Sequence, residues 1–335
     1  MRSVVVTGLA GALGQRVAPS LLADEVVAGD ADSDLAGADT LVHLAWLPAA
    51  PRGGTQTARA NVEDTRRLLA AADRAGVAAV VHLSSASVYG AWPDNPMPLT
   101  EEAALRPNPG VSDAIGRAEA ERLVADWAAD HPGTTVAVLR PATVVGAGLD
   151  SWLARLLVGH AALRGQVLDP PRQFVHVDDL AAALALAVNR RLDGVYNVAP
   201  DGSVAGDVVR GLTAGRPSLP VPGRLASAAA HWMWSLHLSD TSPDVLPLVE
   251  HPWVIANDRL RAAGWVPRHT NEEAVVAGRP GSWWREMGPT RRQQVALAGA
   301  GLGVVGLGAS IAALVARARR RPTSATSATS ATRIR

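Results

Sequence analysis

Apolar runs with a two-residue period alternate with helical repeats along the first half of the chain. SVVVT (3–7) is a short β-branched run, and the glycines that end it lead into the helical pattern GALGQRVAPSLLA. EVVAGD (25–30) and TLVHLAW (40–46) read as further strands. NVEDTRRLLAAADRAG (61–76) reads as a helix that stops at Gly76. VAAVVHLSS (77–85) is a buried-type strand, SDAIGRAEAERLV (112–124) opens an amphipathic helix, and TTVAVLRPATVVG (134–146) is extended again. Strand and helix succeed one another through short links, which predicts an α/β fold with a doubly wound parallel sheet. Beyond about residue 150 the pattern loosens. RQFVHVDDLAAALALAV (172–188) is strand then helix, and 200–285 is rich in Pro, Gly and Trp. The main lobe is therefore placed at about 1–149 and 172–200, and a smaller lobe, packed where such sheets bind ligands, at about 150–171 and 201–280. Together they make a domain of 1–285.

A different pattern occupies the end of the chain. Residues 295–316, VALAGAGLGVVGLGASIAALVA, carry Ser310 as their only polar side chain. As a helix they span ~33 Å, enough for a hydrocarbon core of about 30 Å. Arg291 and Arg292 precede the run, Arg317, Arg319, Arg320 and Arg321 follow it, and Trp283 and Trp284 lie upstream, as interfacial residues do. Twelve of its 22 residues are Gly or Ala, which makes it only moderately hydrophobic. The expectation is a single membrane span after a juxtamembrane stretch (286–294), with a disordered TSA-repeat tail at 317–335.

Composition narrows the chemistry. With 32 basic against 31 acidic residues the net charge is +1, which provides no electrostatic case for a nucleic-acid partner. Cysteine is absent, and the nine histidines show no ligand spacing, so no metal is expected. Every basic residue is an arginine, which excludes any mechanism that needs a lysine amine. Tyr89 and Tyr196 are the only tyrosines.

TGLAGALG places Gly8, Gly11 and Gly14 between the first strand and the first helix. Such glycines let the backbone turn sharply and let a pyrophosphate reach free N–H groups at a helix start, here those of Ala12 and Leu13. The spacing also suits a tight turn that needs glycine for packing alone. Asp30, at the end of the next strand, could accept hydrogen bonds from an adenosine ribose and would then disfavour a 2′-phosphate. GDADSD is equally a loop composition. Asp113 stands four residues before Arg117, a spacing at which an ion pair forms on a helix face with or without catalysis.

Taken in order, these segments resemble the extended short-chain dehydrogenase/reductase family, the NAD-dependent epimerase/dehydratases, over about 1–278. TGLAGALG resembles the family's T-G-x-x-G-x-x-G, VHLAW its H-L-A-A, NVEDTRRLL its N-V-x-G-T-x-x-L-L, LSSASVYG its S-S-x-x-V-Y-G, and LRAAGWVPRHT its late L-G-W-x-P. The resemblance implies a Rossmann-like lobe binding NAD or NADP, Ala45 of VHLAW included in the cofactor site, with NAD slightly favoured through Asp30. It also implies a substrate lobe, a small-molecule substrate, frequent homodimers and a cytoplasmic main domain. It implies hydride transfer at a Ser/Thr–Tyr–Lys site, with tyrosine as the general acid/base. By position the serine is Ser85, while Asp113 and Arg117 stand where tyrosine and lysine belong, and Tyr89 and Tyr196 match structural positions instead. Asp accepts but does not donate at neutral pH, and Arg does not release a proton. The expectation is either an enzyme with an altered acid/base or a non-catalytic NAD(P)-binding sensor or scaffold. Arg172 matches a position where nucleotide-sugar epimerases often face the substrate diphosphate, and would otherwise be a surface residue. Thr143 replaces an asparagine frequent in them. The stretch from Gly14 to His43 is short for the family, and its strand resembles the family's third better than its second.

Overall fold

The computed structural model describes residues 2–47, 54–149, 151–161, 170–212, 234–236 and 242–278. The chain divides into units Met1–Arg279 and Pro280–Arg335. The second unit, with the apolar run 295–316, its juxtamembrane stretch and the tail, lies outside the described residues. Among the described residues no helix is long and apolar enough to cross a membrane.

Eight strands form among these residues: β1 (Ser3–Thr7), β2 (Glu25–Gly29), β3 (Thr40–His43), β4 (Ala79–Leu83), β5 (Thr135–Pro141), β6 (Thr143–Val145), β7 (Phe174–His176) and β8 (Gly194–Val198). Six make one parallel sheet in the order β2-β1-β3-β4-β5-β8, and β6 pairs with β7. Alternating side chains serve two cores. Val4, Val6, Ala137 and Leu139 face one layer, with Val17 of α1 (Ala12–Val17) and Leu180, Leu184 and Val188 of a helix at Val177–Arg190. Val5, Val80, Val136 and Val138 face the other, with Leu68, Leu69 and Ala72 of α2 (Gly54–Ala75) and Val124 of α3 (Ser112–Asp130). Gly116 lets α3 lie close on α2, since a Cβ there would stand 3.0 Å from that of Ala58. Among the described residues further helices are α4 (Trp152–Ala161), α5 (Val177–Arg190), α6 (Gly206–Leu212), α7 (Pro247–Glu250), α8 (Asp258–Ala262) and α9 (Asn271–Ala277).

Two expectations are corrected. The helix read from 61 begins at Gly54, because GTQTARA forms helix without an apolar stripe to announce it. Its stop is as read: Gly76 has φ +62°. The strand likened to the family's third pairs directly with β1, Ser3 opposite Glu25 through Thr7 opposite Gly29, and so takes the second place. Asp30–Asp39 is too short to hold a further strand and helix. Its Leu35 plugs the α2-side core instead, and β2 remains a partly exposed edge.

Because β2 and β3 flank β1 on opposite sides, the strand order reverses at the carboxyl end of β1. A crevice at such a point is where open α/β sheets bind ligands.

Candidate active site

The bend after β1 opens this crevice. Gly8 has φ +74°, and a Cβ there would stand 3.1 Å from the Ala45 nitrogen. At Gly14 a Cβ would fall 2.6 Å from the Gly8 oxygen and the Leu9 backbone, so packing alone demands that glycine. Gly11 donates to the Gly8 oxygen at 3.0 Å and caps α1 without any side-chain hydrogen bond. The first-turn amides of α1, those of Ala12 and Leu13, are thereby left to an outside acceptor. A backbone cradle that a Cβ would fill, next to an uncapped helix start, fits the pyrophosphate of a dinucleotide.

Beneath the bend lies a buried relay that the sequence motifs contained but did not explain. Thr7 Oγ1 donates to His43 Nδ1 at 2.9 Å and accepts from the Leu44 and Ala45 nitrogens, each at 3.1 Å. Thr65 Oγ1 gives its proton to the Asn61 carbonyl at 2.9 Å, so it accepts from His43 Nε2 at 3.1 Å. The neutral Nε2–H tautomer satisfies every partner. Burial lowers the His43 pKa to about 4, consistent with that neutral form. Asn61 in turn holds Leu47, accepting from its nitrogen at 2.9 Å and donating to its oxygen at 2.8 Å. The histidine, asparagine and threonine of the VHLAW and NVEDT segments thus tie α2 to the loop that approaches Gly8.

Asp30 follows β2, and Thr7 is registered against Gly29, so the Asp30 backbone leaves the sheet beside the bend. Ser33 Oγ and the Asp32 nitrogen donate to Asp30 Oδ1 at 2.8 and 3.0 Å. These bonds hold its pKa below the usual carboxylate value, the Ser33 hydroxyl foremost. The aspartate is thus both a turn residue and an ionised one.

At the end of β4 a second buried network fixes the serine edge. Ser84 Oγ donates to Glu121, whose carboxylate also takes Arg140 Nε at 2.9 Å and Nη2 at 2.5 Å. Arg140 Nη1 donates to the Tyr89 hydroxyl at 2.8 Å, and that hydroxyl donates to Asn197 Oδ1 at 2.8 Å. Tyr89 is therefore consumed structurally. Burial raises its pKa. Ser85 begins the 3-10 turn Ala86–Tyr89; its Oγ accepts from the Ser87 nitrogen at 3.2 Å and from Ser87 Oγ at 3.0 Å, which leaves its own proton free to donate.

Asp113 and Arg117 meet as their spacing requires, Nε to Oδ2 at 3.1 Å, but this is no exposed helix pair. Their side chains are 11% and 15% exposed, and Trp46 joins them: its Nε1 donates to Asp113 Oδ1 at 2.8 Å, and its ring lies 4.5 Å from Arg117 Cζ. Arg117 Nη1 reaches the Leu83 and Ser84 carbonyls at 3.4 and 3.3 Å, so the pair shares the end of β4 with Ser85. Trp46 was missed in sequence; a bulky indole in place of the last alanine of H-L-A-A was the available signal. Arg172 sits just before β7, only 4% exposed, which overturns the surface alternative. Its Nη2 donates to the Val249 oxygen at 3.4 Å, and it lines a small cleft with Ala142, Leu157, Gln173 and Trp253. Among the described residues no group of three His, Asp or Glu is placed to hold a metal.

The sequence pattern of the NAD dependent epimerase/dehydratase family matches residues 30–199. The chain belongs to this family. An NAD dependent epimerase/dehydratase is built on NAD or NADP, and the expectation of that cofactor stands. An uncharacterized protein of Mycobacterium tuberculosis is 29% identical over 241 residues, covering 70% of this chain and 64% of its own length, so the chain spans under two thirds of that relative. UDP-glucose 4-epimerase of Azospirillum brasilense is 30% identical, covering 78% of this chain and 76% of its own. Among solved structures, DesIV, a dTDP-glucose 4,6-dehydratase from Streptomyces venezuelae with NAD and TYD bound, superposes with a TM-score of 0.64 at 20% identity, covering 85% of this chain and 97% of its own. That likeness shows the epimerase/dehydratase fold.

Proposed function

We propose that this family member is an NAD(P)-dependent oxidoreductase of the epimerase/dehydratase type, acting on a small molecule with a hydroxyl or carbonyl group through an atypical site. One observation carries the reading: the glycine bend and the Ser85–Asp113–Arg117 cluster share the carboxyl edge of one sheet, where its strand order reverses. The amides of Ala12 and Leu13, with the backbone of Gly8, Gly11, Gly14 and Ala45, would hold the pyrophosphate, and Asp30 the adenosine ribose, which favours NAD over NADP. When bound, the nicotinamide supplies or accepts a hydride. Ser85 Oγ–H would donate to the reacting oxygen, and Arg117, in the place of the family's lysine, to a hydroxyl of the nicotinamide ribose. Asp113 anchors Arg117 and is a carboxylate at this edge that would accept the proton of the reacting hydroxyl through water. The buried Arg172 and the nucleotide-sugar enzymes among the relatives support a nucleotide sugar as substrate class. The apolar run 295–316 supports a membrane tether, which protease protection of the tail in intact cells tests.

Titration of the purified full chain with NADH and NADPH, followed by nicotinamide fluorescence, tests the reading, and failure to bind either removes it. A second reading, cofactor binding without turnover, is favoured by the engagement of both Asp113 oxygens. The two separate in a screen of sugar nucleotides that follows nicotinamide absorbance. Turnover that Asp113→Asn abolishes supports the enzyme, whereas binding with no turnover of any of them supports the sensor.

A further inference from the structure

We infer that Trp46 is a positioning residue: it fixes the Asp113–Arg117 pair to the cofactor loop, so that Arg117 Nη2 is presented to the crevice in one orientation. The inference rests on the functional reading above and adds a residue that the family pattern does not supply.

The backbone of Trp46 is clamped on both sides. Leu44 and Ala45 before it donate to Thr7 Oγ1 at 3.1 Å, and Leu47 after it is held through both its nitrogen and its oxygen by Asn61. The indole therefore leaves the loop in a set direction. It meets the pair twice, through Nε1 on Asp113 Oδ1 and through its face under the Arg117 guanidinium. Arg117 is then held at every point but one. Nε is on Asp113, Nη1 is on the ends of β4, the plane is on the indole, and Nη2 donates to no described residue. An isolated arginine–aspartate pair on a helix face trades its partners with water and keeps neither geometry. Here a third group, rigid and only partly exposed itself, removes that freedom. A tryptophan needed for packing alone would bury its ring among aliphatic side chains. This one has a cation on its face and sits one residue beyond the alanine that approaches Gly8.

The test uses the full chain. Trp46→Phe keeps a ring and removes the donor. The indole Nε1–H resonance missing from its proton–nitrogen spectrum is that of Trp46. In Asp113→Ala, which removes the acceptor, the same resonance is expected to shift and to exchange faster with water. For NADH, Trp46→Phe and Asp113→Ala are each expected to weaken binding about tenfold, and the double variant no more than Asp113→Ala alone, because both remove one interaction. Thermal melting confirms that each variant folds. A resonance unmoved by Asp113→Ala overturns the inference, as do additive losses near a hundredfold. Wild-type protein that binds no dinucleotide overturns the functional reading instead, and the indole result then decides the role of Trp46 by itself.

Discussion

Replacing Glu121 with alanine removes the acceptor that organises the serine edge of the site. Glu121 and Arg140 have side chains only 4% and 6% exposed. The carboxylate takes Arg140 Nε and Nη2 and the Ser84 hydroxyl together. Without it, Arg140 keeps only neutral acceptors, the Tyr89 hydroxyl and the Glu101 carbonyl, around a buried cation. Stranding one member of a buried pair costs about 3–5 kcal/mol, a large share of the ~5–15 kcal/mol that holds a domain folded. The pair itself is not a large net source of stability, since burying two charges consumes most of their attraction. Glu121→Leu with Arg140→Met should therefore cost less, about 1–3 kcal/mol, mainly because Ser84 Oγ loses its acceptor. Urea unfolding followed by tryptophan fluorescence and by circular dichroism measures both. A loss below about 1 kcal/mol for Glu121→Ala, or a double variant at least as damaged as the single, refutes this account of the network.

Three further outcomes are expected. Gly14→Ala places a Cβ 2.6 Å from the backbone of Gly8 and Leu9, so α1 must shift; urea unfolding should show a loss of about 1–3 kcal/mol, together with loss of dinucleotide binding. His43 stays neutral down to about pH 4 in the folded chain, whereas an unfolded histidine takes up a proton near 6.5. Between those values only the unfolded state is protonated, so stability is complete above about 6.5 and falls on acidification, by on the order of 3 kcal/mol from this ring by pH 4. His82, fully buried with its pKa also depressed by burial, adds with the same sign. Urea midpoints that rise between pH 6.5 and 4 would contradict this. Ser85→Ala should cost about 0.5–2 kcal/mol of stability, since Ser87 loses the acceptor that caps its turn, and should lower turnover about 100-fold, as loss of one donor to a reacting oxygen does; turnover within about threefold of wild type removes Ser85 from the chemistry.

Much of the sheet could be read directly. VVV, VVAG, AVVHL and TVAVLRP are β-branched runs between turn signals, and each became a parallel strand with both faces covered or, for β2, an edge. Gly8, Gly11 and Gly14 were legible because a glycine-rich bend between strand and helix has few other uses. The start of α2 was not, since GTQTARA carries no apolar stripe. The place of β2 was not either. A strand's local pattern says how it is buried and not which neighbour it takes; the short link to β3 decided that.

By itself the amino-acid order determined the strand–helix alternation, the turn after β1, the absence of lysine and the i, i+4 meeting of Asp113 with Arg117, because each is a property of composition or of a few neighbouring residues. Tertiary structure decided what surrounds them. Trp46 reaches Asp113 across 67 positions, Tyr89 reaches Asn197 across 108, and Arg172 is drawn under Val249. Such bonds depend on how sheet and helices pack. Packing turned an ordinary helix-face pair into a half-buried cluster at the crevice, and committed Tyr89, one of only two tyrosines, to the core.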